Sequence, residues 1–548
     1  MADVDLSSYV NARSPFGPIK SEDLDTENGR SAFAALYSPG NEIHRRVAVL
    51  QPNCLFGRKG AGKTAFLLGQ ASQRDALIVR FSQADLFSHL SNVVSIGDER
   101  HYTLLSEHVG TLWKSVMQLG VAHRAVTSSG DHEDNQLRRQ MWQFFTGFAG
   151  ELTEHGDPLK LTPDQIASET LVLFRRRIED GAVPAVPADL LELLVFGGVS
   201  FSEVTQAAAS LLEQRGRSAL VLVDSIEDLA PHLTRLAEVI RGLLHLLAEE
   251  LEPRYRFRLF VCMPSEITDH LAVLSSNPAK TMQKSIYIQW TSRELIRMAA
   301  HRFRIYLRLY HPDEAARLLT IGPDSGDDFL SSRRLLERFL PPTVTNGQGR
   351  SEVTLAYIMR HTQLLPRQLL QYLNRIWVNQ AAEETENALS VTELAVITGV
   401  QDSESSLVQD ILSAYYGQYP LARQILEDLV PYMTMRMSVL EIENLIRARG
   451  VHRSAGMEIN DVVAMLVNIG ALGKHVGQTS LYESAEFSFT FPKRLRLHDD
   501  EDACVHPIFA QYFETMEVRA RDLEGHRAIY PYGSDPDATD YRRIWQPA

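Results

Sequence analysis

Cysteine is scarce in this sequence. Cys54, Cys262 and Cys504 are the three cysteines in 548 residues, and no two of them form a C-x-x-C pair. A disulfide-stapled scaffold or a cysteine-rich zinc module needs paired or clustered cysteines, so both classes are excluded. We expect a reducing compartment and a cytoplasmic protein.

Long apolar runs are also missing. No stretch of the sequence reaches the ~18 apolar residues that a membrane-spanning helix needs. The opening residues, MADVDLSSYV, contain no basic stretch followed by an apolar one, which is the pattern of a secretory signal. We therefore expect neither membrane insertion nor secretion.

Basic residues are outnumbered by acidic ones. Lys and Arg total 55 and Asp and Glu total 69, which gives a net charge of −14. A chain that coats nucleic acid or an acidic membrane through its overall field would carry the opposite sign, although a local basic surface is still allowed. The hydrophobic fraction of 44% is ordinary for a globular chain and excludes wholesale disorder.

Short apolar runs separated by helical patterns predict an α/β fold. Candidate strands lie at 53–56, 76–81, 218–223, 257–263 and 286–289. Uninterrupted apolar runs of this length are typical of parallel strands that are buried on both faces. Between the second and third candidates, helical periodicity predicts a large all-helical insertion at about 91–215, with helices near 100–120, 135–152, 162–180 and 200–215.

A glycine-rich turn follows the first candidate strand and precedes a helical pattern. Its pattern, Gly57-x-x-x-x-Gly62-Lys63-Thr64, matches the P-loop in full. Glycines let successive backbone N–H groups point at an anion, and the helix that follows adds its positive end. We expect Lys63 to reach the β- and γ-phosphates of ATP and Thr64 to bind Mg²⁺. The predicted nucleotide-binding residues are Gly57, Arg58, Lys59, Gly60, Ala61, Gly62, Lys63, Thr64 and Ala65.

An acidic segment follows the candidate strand at 218–223. Asp224 is the candidate that orients Mg²⁺, because a P-loop enzyme needs an acid at the end of a neighbouring strand. Glu227 or Asp228 is the candidate that activates the attacking water. The alternative is that both acids merely open a helix, where acids are favoured. The predicted catalytic set is Lys63, Asp224, Glu227 and Asp228, and the predicted metal ligands are Thr64 and Asp224.

These motifs together resemble a family. The segments GRKGAGKT, VLVDSIED, WTSREL and LPRQLL are similar to those of bacterial AAA+/STAND-type ATPases. The resemblance covers about residues 40–520 and implies a P-loop ATPase sheet, a helical lid, a C-terminal winged helix and the cofactors ATP and Mg²⁺. Many such ATPases have a glutamate directly after the metal-orienting aspartate, where this sequence has Ser225.

The resemblance also implies roles for residues outside the P-loop. Arg367 matches the lid arginine that senses the γ-phosphate, and a helix arginine in solvent is the alternative. Ser265 stands where a polar sensor is expected, but a helix cap explains it equally well. Trp290 is expected in the core or at a domain joint. Candidate arginine fingers for a neighbouring subunit are Arg293, Arg302 and Arg304.

The predicted domain layout follows the same resemblance. An irregular N-terminal arm (1–40) precedes the P-loop core (41–290), a helical lid (291–400) and a winged-helix domain (401–530), and a loose tail (531–548) ends the sequence. The polar segment at 401–406, QDSESS, is the predicted linker between lid and winged helix. Three helices, near 421–433, 439–449 and 460–469, and a hairpin within 480–497 suggest the winged helix.

The composition of this region argues against reading DNA. The helix that would enter a groove, at 458–469, contains no Lys or Arg and carries Glu458 and Asp461. The predicted wing holds Lys493, Arg494 and Arg496 and is followed at once by acids. A protein-binding or autoinhibitory winged helix is therefore favoured over a DNA-binding one. His498 and His506 have no metal-ligand spacing and are expected to be ordinary polar residues.

The motifs predict an ATP-binding and ATP-hydrolysing switch that controls its own assembly or a partner effector. The resemblance makes prokaryotic signalling or anti-phage defence the expected setting, with a homo-oligomer or an effector protein as partner. Two alternatives stay open. One is a DNA-associated ATPase such as an initiator, a loader or a transposition regulator, and the other is a nucleotide-bound scaffold that does not hydrolyse.

Overall fold

The computed structural model describes most of the chain, in two compact units. The sheet unit comprises Arg45–Arg58 and Phe66–Tyr287, and the larger unit comprises Met1–His44, Lys59–Ala65 and Ile288–Ala548. The described residues are 6–19, 32, 35–36, 52–72, 76–81, 84–99, 106–128, 136–149, 157–180, 194–224, 233–248, 256–267, 285–319, 329–347, 349–382, 389–490, 495–520 and 527–537.

A parallel sheet forms the centre of the sheet unit, with the strands β1 (Cys54–Gly57), β2 (Ala76–Phe81), β5 (Ser218–Val223), β6 (Phe257–Pro264) and β7 (Ser285–Tyr287). Their order in the sheet is β2-β5-β6-β1-β7. This confirms the predicted α/β class and parallel sheet. Strands β5 and β6 are buried nearly throughout, which explains their uninterrupted apolar sequences.

Helices cover this sheet and form one continuous apolar core with it, in which Trp113 is fully buried and donates its indole N–H to the carbonyl of Val239. The helices of the sheet unit, with α1 beginning in the P-loop, are α1 (Lys63–Ser72), α2 (Ala84–Glu99), α3 (Ser106–Thr127), α4 (Gln136–Ala149), α5 (Pro163–Glu179), α6 (Phe201–Gln214) and α7 (Leu233–Ala248).

We predicted an all-helical insertion, and this is wrong. The insertion also contains a small hairpin of β3 (Val195–Phe196) and β4 (Val199–Ser200). The turn between them, Gly197-Gly198, has positive φ at both residues, which suits a two-residue hairpin. A Cβ at Gly197 would lie 2.3 Å from the carbonyl oxygen of Gln143 in α4, so a side chain does not fit there. Strands of two residues are too short to show an alternating pattern in sequence.

From residue 288 onwards, the larger unit contains helices and a short hairpin, β8 (Thr343–Thr345) with β9 (Ser351–Val353). Its longest helices begin with side-chain caps at Thr291 and Thr392. The helices are α8 (Ser292–Tyr310), α9 (Pro312–Leu319), α10 (Phe329–Glu337), α11 (Thr354–Arg360), α12 (Pro366–Ala382) and α13 (Glu393–Tyr415).

The described part of the N-terminal arm packs on these helices. Phe16 is fully buried, stacks on Phe303 at 5.1 Å and meets Trp377 edge-on. The Asn374 amide accepts the N–H of Phe16 and donates to the carbonyl of Gly17. Residues 6–19, which belong to the predicted irregular arm, form turns and bends that pack as part of the larger unit.

The predicted linker at 401–406 is wrong, because α13 runs through it without a break. Ser403 and Glu404 are buried, and apolar residues on either side of the segment continue one buried face. A Cβ at Gly399 would lie 2.6 Å from the Ile376 side chain, so α13 packs closely on α12. The other four residues of the segment, at 401, 402, 405 and 406, are exposed on the outer face of this packed helix.

The C-terminal part adds a second five-stranded sheet, in the order β10-β13-β11-β12-β14. Its hairpin, β11 (Leu472–Gln478) with β12 (Tyr482–Glu486), begins before the predicted 480. The remaining elements are β10 (Arg436–Ser438), β13 (Asp502–Val505), β14 (Ala528–Pro531), α14 (Ala422–Leu429), α15 (Val439–Arg449), α16 (Val451–Ala455), α17 (Ile459–Ile469), α18 (Pro507–Tyr512) and α19 (Met516–Ala520).

The start of the predicted tail is ordered. Strand β14 ends at Pro531 and pairs in parallel with β12, and the Tyr532 N–H donates to the carbonyl of Ala485. The Tyr482 hydroxyl bonds Asp535 at 2.9 Å, and Asp537 pairs with Arg333. Residues 538–548 lie outside the described part. No helix among the described residues is long and apolar enough to cross a membrane.

Candidate functional site

The carboxyl ends of the central strands line up along one edge of the parallel sheet. Gly57 at the end of β1 pairs with Pro264 of β6, and Val223 of β5 pairs with Val261 of the same strand. The residues that follow these strands, Arg58, Ser265 and Asp224, therefore lie on one edge. Ligands of open parallel sheets bind beyond this edge.

The P-loop turn has the backbone that its glycines permit. Gly60 and Gly62 adopt φ of +86° and +87°, and α1 begins at Lys63. Side chains disfavour such φ values, whereas glycine adopts them at little cost. Successive N–H groups in a turn of this kind, followed by a helix N-terminus, form an anion-binding nest. Lys63 and Thr64 are both buried at the start of this helix.

Trp290 contacts the P-loop, which we did not predict from the sequence. Its indole N–H donates to the carbonyl oxygen of Ala61 at 2.8 Å, and both residues belong to the larger unit. Its ring is half-buried, and Trp290 stands just before Thr291, the cap of α8. An indole needs a partner for its N–H when it is buried, but the sequence alone cannot name a partner that is 229 positions away.

Arg367 lies against the same turn. Its backbone N–H donates to the carbonyl of Gly60 at 3.4 Å. A Cβ on Gly60 would lie 3.2 Å from the Cβ of Arg367 and 3.5 Å from its Cδ. The stem of Arg367, at the start of α12, therefore packs on the P-loop within the larger unit. The sequence predicted Arg367 as a nucleotide-binding residue, and this position is compatible with that role.

Asp224 is buried at 1% exposure at the end of β5. Its Oδ2 lies 3.3 Å from Nη2 of Arg80, on the adjacent strand β2. Its Oδ1 has no hydrogen-bond partner among the described residues. A buried carboxylate oxygen without a partner is costly, and a cation or water at the sheet edge would satisfy it. We did not predict a role for Arg80, although it is a single charged residue within the apolar run ALIVRF.

The other acids of the site are partly outside the described residues. Glu227 and Asp228 fall within 225–232, where the structure describes nothing. Ser265 begins a single turn of 3-10 helix after β6, and its hydroxyl lies 3.4 Å from the Glu266 carboxylate. The choice between a sensor and a cap at Ser265 stays open.

Two of the three candidate arginine fingers donate hydrogen bonds to backbone carbonyls of their own chain. Arg302 donates to the carbonyls of Phe16 at 3.1 Å and Pro18 at 2.8 Å, and its burial lowers its pKa to about 10. Arg293 donates to the carbonyl of Pro536 at 3.3 Å and lies over the Phe329 ring. Both side chains are engaged inside the larger unit, and Arg304 is half-buried on α8. The finger role of all three arginines stays a prediction.

The C-terminal residues considered for DNA or metal binding have structural contacts. Helix α17 buries most of its apolar side chains, including Val462, Met465 and Leu466. His506 is fully buried, where its Nδ1 accepts the N–H of Ile508 and caps α18. Across the described residues, no group of His, Cys, Asp or Glu is arranged to hold a metal ion.

Cations on the C-terminal sheet are paired with acids. Arg436 bonds Asp502 at 2.6 Å and Glu483 at 3.3 Å, and Lys474 pairs with Glu501. Lys493 and Arg494 of the predicted wing lie outside the described residues. Arg436 and Lys474 are therefore neutralised by neighbouring acids, and the prediction against DNA reading stays a prediction.

Comparisons with known proteins add little to this description. No protein-family model matches the chain, and no curated protein matches it. Among solved structures, the chain is similar to the ORC2 protein of Aeropyrum pernix, described in ADPNP–ADP complexes, with 13% identity over 81% of this chain and 86% of that chain. The TM-score of 0.33 is too low to support either the fold or the function, which rest on this chain's own residues.

Proposed function

We propose that this protein is an AAA+/STAND-like ATPase that binds ATP with Mg²⁺ at its P-loop and uses hydrolysis as a conformational switch. The observation that carries the proposal is the left-handed turn at Gly60 and Gly62, which opens α1 directly after a buried parallel strand. Such a turn exposes a row of N–H groups at low cost only where glycine stands, and phosphate is the ligand that this geometry suits.

The residues present fit the two expected cofactors. Lys63 and the backbone of residues 57–65 would hold the phosphates, and the Thr64 hydroxyl would bind Mg²⁺. Asp224, whose Oδ1 has no partner among the described residues, would orient that ion. When bound, Mg²⁺ neutralises charge that develops on the phosphate oxygens. Glu227 or Asp228 would take the proton of the attacking water.

The contacts of the P-loop suggest how nucleotide state could be transmitted. The carbonyl of Gly60 accepts the N–H of Arg367 at the start of α12, and the carbonyl of Ala61 accepts the indole N–H of Trp290 just before α8. A shift of this turn would therefore act on the starts of two long helices. The guanidinium of Arg367 would bind a γ-phosphate and release it after hydrolysis.

The switch would control assembly of the chain or the activity of a partner effector. The family resemblance of the sequence supports prokaryotic signalling or anti-phage defence as the setting. The predicted winged helix would then bind protein, because the exposed part of α17 carries Asp461 and its other face is packed.

A nucleotide-bound scaffold without turnover is the second candidate. Two observations favour it. Ser225 stands where many such ATPases have a glutamate, and Arg80 already pairs with Asp224. An acid engaged by its own chain is less available to a metal.

Phosphate release separates these candidates. The purified chain is assayed with Mg²⁺ and ATP beside Lys63→Ala and Glu227→Gln. Turnover that Lys63→Ala abolishes supports the ATPase, and tight ATP binding without turnover supports the scaffold. Equal phosphate release from wild type and Lys63→Ala would exclude this site as the source of hydrolysis. Salt-sensitive retention on duplex DNA would favour the DNA-associated alternative.

A further inference from the structure

A polar cavity of about 240 Å³ lies within the larger unit, apart from the P-loop residues. Helices α11 and α13 line it, together with α18 and the loop after β8. It is far larger than the ~30 Å³ share of a water molecule and smaller than the ~300–1,000 Å³ of sites for drug-sized ligands. A ligand that fills it would be a small molecule.

Two buried side chains in this cavity have unsatisfied polar atoms. His361, which caps the C-terminus of α11, and Glu404 on α13 are 4% and 6% exposed. Their closest atoms, Nδ1 and Oε1, are 3.8 Å apart, which is too far for a hydrogen bond. Both ring nitrogens of His361 and the Oε1 of Glu404 have no hydrogen-bond partner among the described residues. Buried polar atoms are normally satisfied, so three such atoms at one cavity indicate a missing partner.

The charge of the cavity is close to zero. The Arg360 guanidinium donates to Glu352 at 2.9 and 3.2 Å and lies over the rings of Tyr357 and Tyr530. Its positive charge is therefore already neutralised. Burial lowers the pKa of His361 and raises the pKa of Glu404 to about 8, so at neutral pH the first is an imidazole and the second a carboxylic acid.

These groups favour one class of ligand over two others. A phosphate or other multiply charged anion would find no free cation in the described lining, and a metal ion would find one protonated acid and one imidazole. A neutral carboxylic acid and a neutral imidazole each donate and accept a hydrogen bond. Gln401 adds an amide, and Ile397 and Met435 add apolar surface against which a flat ring can pack.

We propose that this cavity binds a neutral, planar heterocycle with adjacent hydrogen-bond donor and acceptor groups, the chemistry of a nucleobase. Glu404 would pair with the donor–acceptor edge of the base, and His361 would bond a second polar atom. The site is separate from the P-loop and needs no phosphate. Nucleotide state at the P-loop and a base in this cavity would then be two independent inputs to the larger unit.

Isothermal titration of the full chain with adenine, guanine, cytosine, uracil and their nucleosides tests the proposal. None of these compounds carries a phosphate, so the Lys63→Ala variant should bind as wild type does. We expect Glu404→Leu and His361→Phe to lower the affinity at least about tenfold. Asp402→Asn, an exposed acid on the same helix, is the matched control and should leave binding unchanged.

Glu404→Gln keeps the shape of the side chain and serves where Glu404→Leu fails to fold. The Gln side chain still donates and accepts hydrogen bonds, but its NH₂ group can only donate and its carbonyl oxygen can only accept. We therefore expect the preference among the bases to change. The proposal is overturned if no compound binds the wild type with a Kd below about 1 mM. It is also overturned if binding is unaffected by both Glu404 variants, or if Lys63→Ala abolishes it.

Discussion

The indole N–H of Trp290 and the carbonyl of Ala61 form a 2.8 Å hydrogen bond that joins the P-loop turn to the residue just before α8. The neighbouring carbonyl, of Gly60, accepts the N–H of Arg367. Two successive carbonyls of the turn thus point towards helices of the larger unit. This orientation leaves N–H groups of the turn for an anion, which is the arrangement that phosphate binding needs.

Replacing Trp290 by Phe keeps an aromatic ring and removes the hydrogen bond. A typical net hydrogen bond contributes ~0.5–1.5 kcal/mol, so we expect ATP affinity to fall roughly two- to tenfold as the turn loses one constraint. A fluorescent ATP analogue measures this directly. Trp142→Phe, at an exposed tryptophan of the sheet unit, is the control and should change nothing. Equal affinity of wild type and Trp290→Phe would mean that the bond does not support the nest.

Gly60→Ala tests the turn itself. At φ of +86° an alanine is strained by about 1 kcal/mol, and its Cβ would meet Arg367 at 3.2 Å. We expect a modest loss of stability and a loss of ATP binding of at least about tenfold. Gly456→Ala has a similar strain at φ of +64° with open space around it. It should lower stability alone, and a comparable loss of ATP binding there would contradict a local role for Gly60.

The pair of Arg80 and Asp224 predicts a link between stability and Mg²⁺. Arg80→Met leaves a buried carboxylate without its partner, so the free energy of unfolding should fall by about 1–3 kcal/mol. Mg²⁺ with ATP should stabilise this variant more than wild type, because the ion replaces the lost charge. Denaturant unfolding with and without Mg²⁺ and ATP measures both quantities.

The control for Arg80 is Arg175→Met. Arg175 pairs with Glu179 on the surface of α5, and exposed pairs of this kind contribute little. If both variants lose the same stability and respond alike to Mg²⁺, then Asp224 is not the metal-orienting acid.

Glu404 predicts a pH dependence of stability. Burial raises its pKa to about 8 in the folded chain from an ordinary value of 4.5. The contribution of protonated Glu404 to the free energy of unfolding is therefore fully present below the ordinary pKa, and it is lost as pH rises through the pKa of the folded chain. Glu404→Gln cannot ionise, so its unfolding free energy should fall less than that of wild type between about pH 5 and about pH 8. Asp402→Asn should keep the wild-type slope, and equal slopes for all three would refute the burial argument.

Local sequence patterns were sufficient to predict those strands and turns whose conformation depends on residues adjacent in sequence. The strands at 76–81 and 218–223 have the predicted bounds, because a buried parallel strand is an uninterrupted apolar run. The turn at Gly60 and Gly62 was also predictable from local sequence, because the spacing of the glycines and Lys63 in the P-loop pattern indicates where positive φ is needed.

Contacts between distant segments could not be predicted in this way. The bond from Trp290 to Ala61, the pair of Arg80 with Asp224 and the docking of Phe16 beside Asn374 each join residues far apart in sequence. The segment at 401–406 was wrongly predicted as a linker because polar residues usually mark loops, whereas here two of them, Ser403 and Glu404, are buried in a helix that tertiary packing holds. The proposed cavity depends on such packing throughout.

The central claim is that the P-loop of this chain binds ATP through Lys63. The most direct test is equilibrium titration of the purified chain with ATP and Mg²⁺, side by side with Lys63→Ala and with Lys160→Ala, at an exposed lysine outside the P-loop, as a control. The account predicts saturable binding that Lys63→Ala weakens at least about 100-fold and that Lys160→Ala leaves unchanged. Equal binding by wild type and Lys63→Ala, or no binding by wild type, would contradict it.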